Sequence, residues 1–81
     1  MRRFPAGHQA ILDAMATARE EAGLSQRQLS AKLKQPVNYI NRIESGERDV
    51  GISEFVVIAK GIGVDPVKLL EQGVARMRGF R

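Results

Sequence analysis

The chain has 81 residues, 43% of them hydrophobic, with no Trp, one Tyr and three Phe. That is enough for one small domain with an aliphatic core. The absence of Cys excludes a disulfide framework and thiolate metal sites. No apolar run is long enough to span a bilayer and no signal-peptide pattern is visible, so the expected location is the cytoplasm. The net charge of +4 and pI of about 10.1 suggest an acidic partner. The distribution tempers this inference. Arg2, Arg3, Arg76, Arg78 and Arg81 supply five charges at the two ends, while residues 4–73 hold eight basic and nine acidic residues.

Residues 1–7 read as an arm, disordered or groove-contacting, because Pro5 and Gly7 oppose regular structure. A helix is expected over about 8–22, with Ile11, Met15, Ala18 and Ala22 on one stripe, Leu12 beside it and Gly23 ending it. His8 has no partner at metal spacing, so an exposed or capping role is expected.

The informative stretch is 24–46, which reads as two short helices joined by a tight turn. Ser25 is a good N-cap, and Gln28 three residues later completes a capping box. Leu29 and Leu33 share a face, and Pro36 suits the first turn of the next helix. Ile40 and Ile43 form that helix's buried side, with Gly46 as C-cap. The same periodicity turns Val37, Asn38, Asn41 and Arg42 outward. Amides and an Arg presented from a helix held by its back suit the major groove: Asn pairs with adenine, Arg with guanine, and Val meets a thymine methyl.

A fourth helix is expected over Ile52–Ile62, with Gly51 as N-cap, Glu54 in the first turn and a core stripe of Phe55, Ile58, Ala59 and Ile62. Gly61 within it has no evident reason beyond close packing. Gly63 ends the helix, and Val64 folds back over its last turn. Asp65-Pro66 starts a fifth helix as N-cap and N1 residue. Val67, Leu70, Val74 and Met77 form a seam of the kind one helix offers another. Gly73 is expected to stop or kink this helix, with Leu69 and Leu70 closing the core. Residues 73–81 then read as a basic tail, which is a DNA-contacting arm, a partner-binding segment or a disordered end.

From about residue 11 to 70 the chain resembles the helix-turn-helix family of phage repressors, Cro proteins and their XRE-type bacterial relatives. The features occur in order: Arg19, Gly23-Leu24-Ser25-Gln26, Leu29, Ile40, Ile43-Glu44-Ser45-Gly46, then Phe55, Ala59 and Gly63-Val64-Asp65-Pro66. The resemblance implies an all-α, five-helix DNA-binding domain over residues 8–72, with Arg19 and Glu44 as a structural ion pair. It implies base reading by Val37, Asn38, Asn41 and Arg42. A phosphate-facing set follows from Gln26, Arg27, Lys34, Tyr39, Ser45 and Arg48, although Tyr39 is as well suited to packing at the helix edge. Lys34 stands where relatives often have Gly with positive φ, and Ser30 where they usually have Ala. Glu47 and Asp49 are unfavourable charges in the loop beside Arg48. Relatives often dimerise through the last helix, which makes Val67, Leu70, Val74 and Met77 interface candidates.

The function implied is sequence-specific binding of double-stranded DNA by a small transcriptional regulator, a homodimer on a palindromic operator acting as repressor or autoregulator. The alternatives are an antitoxin of a toxin-antitoxin operon, with a protein partner on the C-terminal tail, and an interaction module that has lost DNA binding. No paired-carboxylate, Ser-His, metal or phosphate-loop constellation is present, so no enzyme activity, cofactor or membrane association is expected.

Overall fold

Apolar side chains from five helices converge on one core: Leu12, Ala14, Met15 and Ala18, Leu29, Ile40 and Ile43, Phe55, Ile58, Ala59 and Ile62, and Leu69. The computed structural model describes residues 5–77. The helices are α1 (Pro5–Glu21), α2 (Gln26–Lys32), α3 (Tyr39–Glu44), α4 (Ile52–Ile62) and α5 (Pro66–Ala75), with no strand among the described residues. Of the terminal arginines, Arg2, Arg3, Arg78 and Arg81 lie outside the described residues, as do the expectations for the arm and tail that rest on them.

The first helix departs from expectation at both ends. It begins at Pro5, inside the expected arm, because proline's fixed φ suits the first helical position rather than opposing it. Of the expected stripe, Met15 and Ala18 are buried with Leu12, but Ile11 is only partly buried and Ala22 is exposed in the turn after the helix. His8 is partly buried rather than exposed, and its Nε2 has no hydrogen-bond partner among the described residues.

Helix α5 packs along α1, and Gly73 is the reason it can. A Cβ at Gly73 would lie 2.5 Å from Ile11 Cδ1 and 3.2 Å from Ile11 Cα. The glycine therefore neither stops nor kinks α5, which continues to Ala75; it lets two helices approach closely. Arg76 then donates to Thr17 Oγ1 at 3.1 Å, tying the end of α5 back to α1. Gly61 instead makes room for side chains from α2 and its C-cap, since a Cβ there would meet Leu33 Cδ2 at 2.7 Å and Leu29 Cδ1 at 3.3 Å. Leu69 is 2% exposed and closes the core, but Leu70 is 47% exposed and does not.

Local signals set the starts of α2 and α5 and the end of α4 as expected. Ser25 Oγ accepts from the Gln28 N–H at 2.9 Å, and Gln28 Oε1 from the Ser25 N–H at 2.8 Å. Asp65 Oδ1 accepts from the N–H groups of Val67 and Lys68, with Pro66 at N1. Gly63, at φ +99°, turns the chain so that the Val64 N–H reaches the Ala59 carbonyl.

Candidate nucleic-acid interface

The turn between α2 and α3 is a helix-terminating motif closed by a lysine. The Gln35 N–H donates to the Ser30 carbonyl and the Lys34 N–H to the Ala31 carbonyl. This Schellman pairing requires a left-handed residue between the helix and the outgoing chain. Lys34 fills that place at φ 59°, the one non-glycine residue with positive φ among the described residues. Its side chain is exposed, as is that of Arg27.

Helix α3 begins three residues later than Pro36 suggests. The Pro36 carbonyl accepts from the Tyr39 N–H at 2.9 Å, making a turn through Val37 and Asn38 before a helix of six residues. Val37 and Asn38 are therefore exposed on the turn leading into α3, not on the helix itself. Asn38 occupies the N-cap position but makes no side-chain capping bond. Ser30 compensates. Fully buried on α2, it accepts the Ile40 N–H through its Oγ at 3.1 Å. The sequence reading missed this bond, treating Ser30 only as a small residue; the available signal was a hydroxyl on a face otherwise defined by Leu29 and Leu33.

Behind α3, Arg19 and Glu44 form a two-point pair. Arg19 Nε lies 2.7 Å from Glu44 Oε2 and its Nη2 3.1 Å from Oε1, with the two side chains 10% and 9% exposed. Arg19 Nη1 also donates to the Leu24 carbonyl. The hydrogen bond to Glu44 raises the Arg19 pKa above its ordinary range against the opposing effect of burial. Gln26 extends the network: its Nε2 donates to Glu44 Oε1 at 2.8 Å, and its Oε1 accepts from Asn41 Nδ2 at 3.2 Å. Thus both ends of the Gln26 amide are engaged within the protein, and Asn41 is linked through it to the buried pair.

On the other flank of α3, Arg42 Nε lies 3.3 Å from Glu47 Oε2, an ion pair without hydrogen-bond alignment. Ser45 Oγ donates to the Arg42 carbonyl and accepts from the Glu47 N–H, so its side chain shapes the loop. Tyr39 and Arg48 converge on Glu54. The Tyr39 hydroxyl donates to Glu54 Oε2 at 2.9 Å and Arg48 Nη2 lies 2.8 Å from the same oxygen. The Arg48 guanidinium also sits 5.2 Å from the Tyr39 ring centroid. Glu54 Oε1 accepts the Gly51 N–H at 3.0 Å. These bonds, Arg48 foremost, lower the Glu54 pKa from 4.5 to about 2. Burial, then the bond to Glu54, raises that of Tyr39. Sequence reasoning saw Glu54 only as first-turn charge.

The α5 candidates stand apart from this surface. Val67, Leu70 and Val74 are 65%, 47% and 55% exposed, and Met77 is partly buried. No helix among the described residues is long and apolar enough to cross a membrane.

The helix-turn-helix family model matches residues 15–69, spanning α2, the turn and α3 with the helices that support them. A solved structure, an XRE-family like protein from Pseudomonas syringae pv. tomato str. DC3000, is 38% identical. The match covers 88% of this chain and 87% of that one, with a TM-score of 0.82. No curated protein matches the chain. With the motif, the five-helix fold and this likeness in agreement, the chain belongs to the XRE-type helix-turn-helix family of DNA-binding regulators.

Proposed function

We propose that the protein binds a specific duplex sequence as a homodimer on a palindromic operator and represses transcription from it. The observation that carries this reading is how α3 is held. Ile40 and Ile43 are buried behind it and the Arg19–Glu44–Gln26 network braces it, while Val37, Asn38 and Asn41 are exposed and Arg42 partly so. The N-terminal residues of a recognition helix are those that meet base edges. Val37 and Asn38, on the turn entering α3, are suited to that position. Arg27, Lys34, Arg48 and the Gln26 end of α2 flank them as phosphate contacts.

The exposed row Val67, Leu70 and Val74 supports dimerisation through α5, with a second copy of the same row as its partner. Two-fold symmetry would set the paired α3 helices about 34 Å apart, one turn of DNA.

Selection from random duplex DNA at two salt concentrations tests the reading. The expected result is a palindromic site whose preference relaxes at one base pair in Arg42→Ala, by about 1–3 kcal/mol. Enrichment without a motif would remove base reading. A Val74→Asp variant that sediments as the unaltered protein does would move the dimer interface off α5.

A further inference from the structure

We propose that Glu54, a residue with no place in the DNA-facing set, is a positioning residue for DNA binding that acts through Arg48. This rests on the DNA-binding reading above and adds to it. One carboxylate gathers three parts of the chain: Tyr39 at the start of α3, Arg48 in the loop after α3, and the Gly51 N–H at the start of α4. Ser45 and the bond from the Arg48 N–H to the Arg42 carbonyl shape the loop backbone, whereas the Arg48 side chain is placed by Glu54. Glu47 is turned to Arg42, and the Arg48 guanidinium is steadied further by the Tyr39 ring and by the Asp49 carbonyl, to which its Nη1 donates at 3.1 Å.

Arginine has among the largest rotamer entropies of any side chain, and a loop arginine must surrender it to grip a phosphate. Here that ordering is done in the free protein. The guanidinium carries five N–H donors, and its contacts with Glu54 and Asp49 leave others for a phosphate oxygen. Preorganisation of this kind strengthens binding without a new contact. Tyr39 adjoins Asn38, so the same carboxylate also holds the turn that carries the proposed base readers.

The proposal makes a prediction opposite in sign to simple charge. Removing a carboxylate near a phosphate-facing surface would by electrostatics alone tighten binding. If Glu54 positions Arg48, its removal weakens binding, and only while Arg48 is present. Affinity for a labelled random-sequence duplex at low salt would be measured by fluorescence anisotropy. The chains are wild type, Glu54→Gln, Arg48→Ala and the double variant, each confirmed folded by circular dichroism. Gln retains an acceptor for the Gly51 N–H, so the helix start is preserved.

The expected outcome is a loss of about fivefold to tenfold in Glu54→Gln, and no further loss when the change is added to Arg48→Ala. Equal or tighter binding by Glu54→Gln overturns the proposal, as does an undiminished loss in the Arg48→Ala background. Arg48→Lys provides a second test that leaves Glu54 intact. Lysine keeps the charge but not the planar fork, so weaker binding supports positioning and wild-type binding overturns it. Wild-type protein that binds no duplex would overturn the DNA-binding reading together with this one; binding with additive losses overturns this one alone.

Discussion

Glu44 and Glu54 do related work on opposite flanks of α3, and their surroundings separate what each achieves. Glu44 accepts from Arg19 and Gln26 with the ion pair about one-tenth exposed, whereas Glu54 and its Arg48 partner are about one-third exposed. A charge withdrawn from water depends on its partner for all of its solvation, so losing the partner is severe. A charge at the surface recovers water when its partner leaves, and the bond contributes little to stability. The buried carboxylate therefore fastens α3 to α1 and α2, and the exposed one orders side chains that remain available for contact. One arrangement of carboxylate, arginine and neutral donor serves stability on one flank and presentation on the other.

The most direct way to break this comparison is to remove a partner on the buried flank. Arg19→Ala is expected to destabilise the fold by about 3–5 kcal/mol, read as a lower midpoint in urea. A loss below about 1 kcal/mol would place the Arg19–Glu44 pair among surface bridges and erase the contrast. Ser30→Ala sharpens the picture by testing a neutral bond on the same flank. It leaves the buried Ile40 N–H without an acceptor, and a loss of about 1–3 kcal/mol is expected in the same titration.

The smallest effect belongs to the exposed flank and is seen in acid. Glu54 has its folded pKa lowered from 4.5 to about 2. Its contribution to stability is therefore complete above the unfolded value and is lost as the pH falls from about 4.5 through about 2. Thermal melts across that window should decline slightly less in Glu54→Gln than in wild type, by less than about 1 kcal/mol because the pair is solvent-screened. Parallel declines would show that Glu54 carries no linkage.

Much of the fold was legible because its signals are local. The Ser25–Gln28 box, the Asp65-Pro66 start and the Gly63 stop each act within a few residues, and the α4 stripe needs only periodicity. The errors arose where a residue's role depends on a distant element. Gly73 reads as a helix breaker along the chain, yet it is buried against Ile11. Pro36 reads as a helix start, yet the chain makes one more turn before Tyr39. At the candidate site, the outward set around α3 was readable, as was the Arg19–Glu44 pairing by resemblance. That Gln26 spends its amide on Glu44 and Asn41, and that Tyr39 meets Glu54, was not.

The sequence by itself determined the helix-turn-helix order, the core stripe of α4 and most helix ends, because capping chemistry and hydrophobic period are properties of neighbouring residues. Only the tertiary structure decided that Ser30 caps a helix ten residues away, that Gly61 and Gly73 are packing sites, and that Glu54 collects Tyr39 and Arg48. Those outcomes depend on separations of a few ångströms between helices, set by the packing of the whole core.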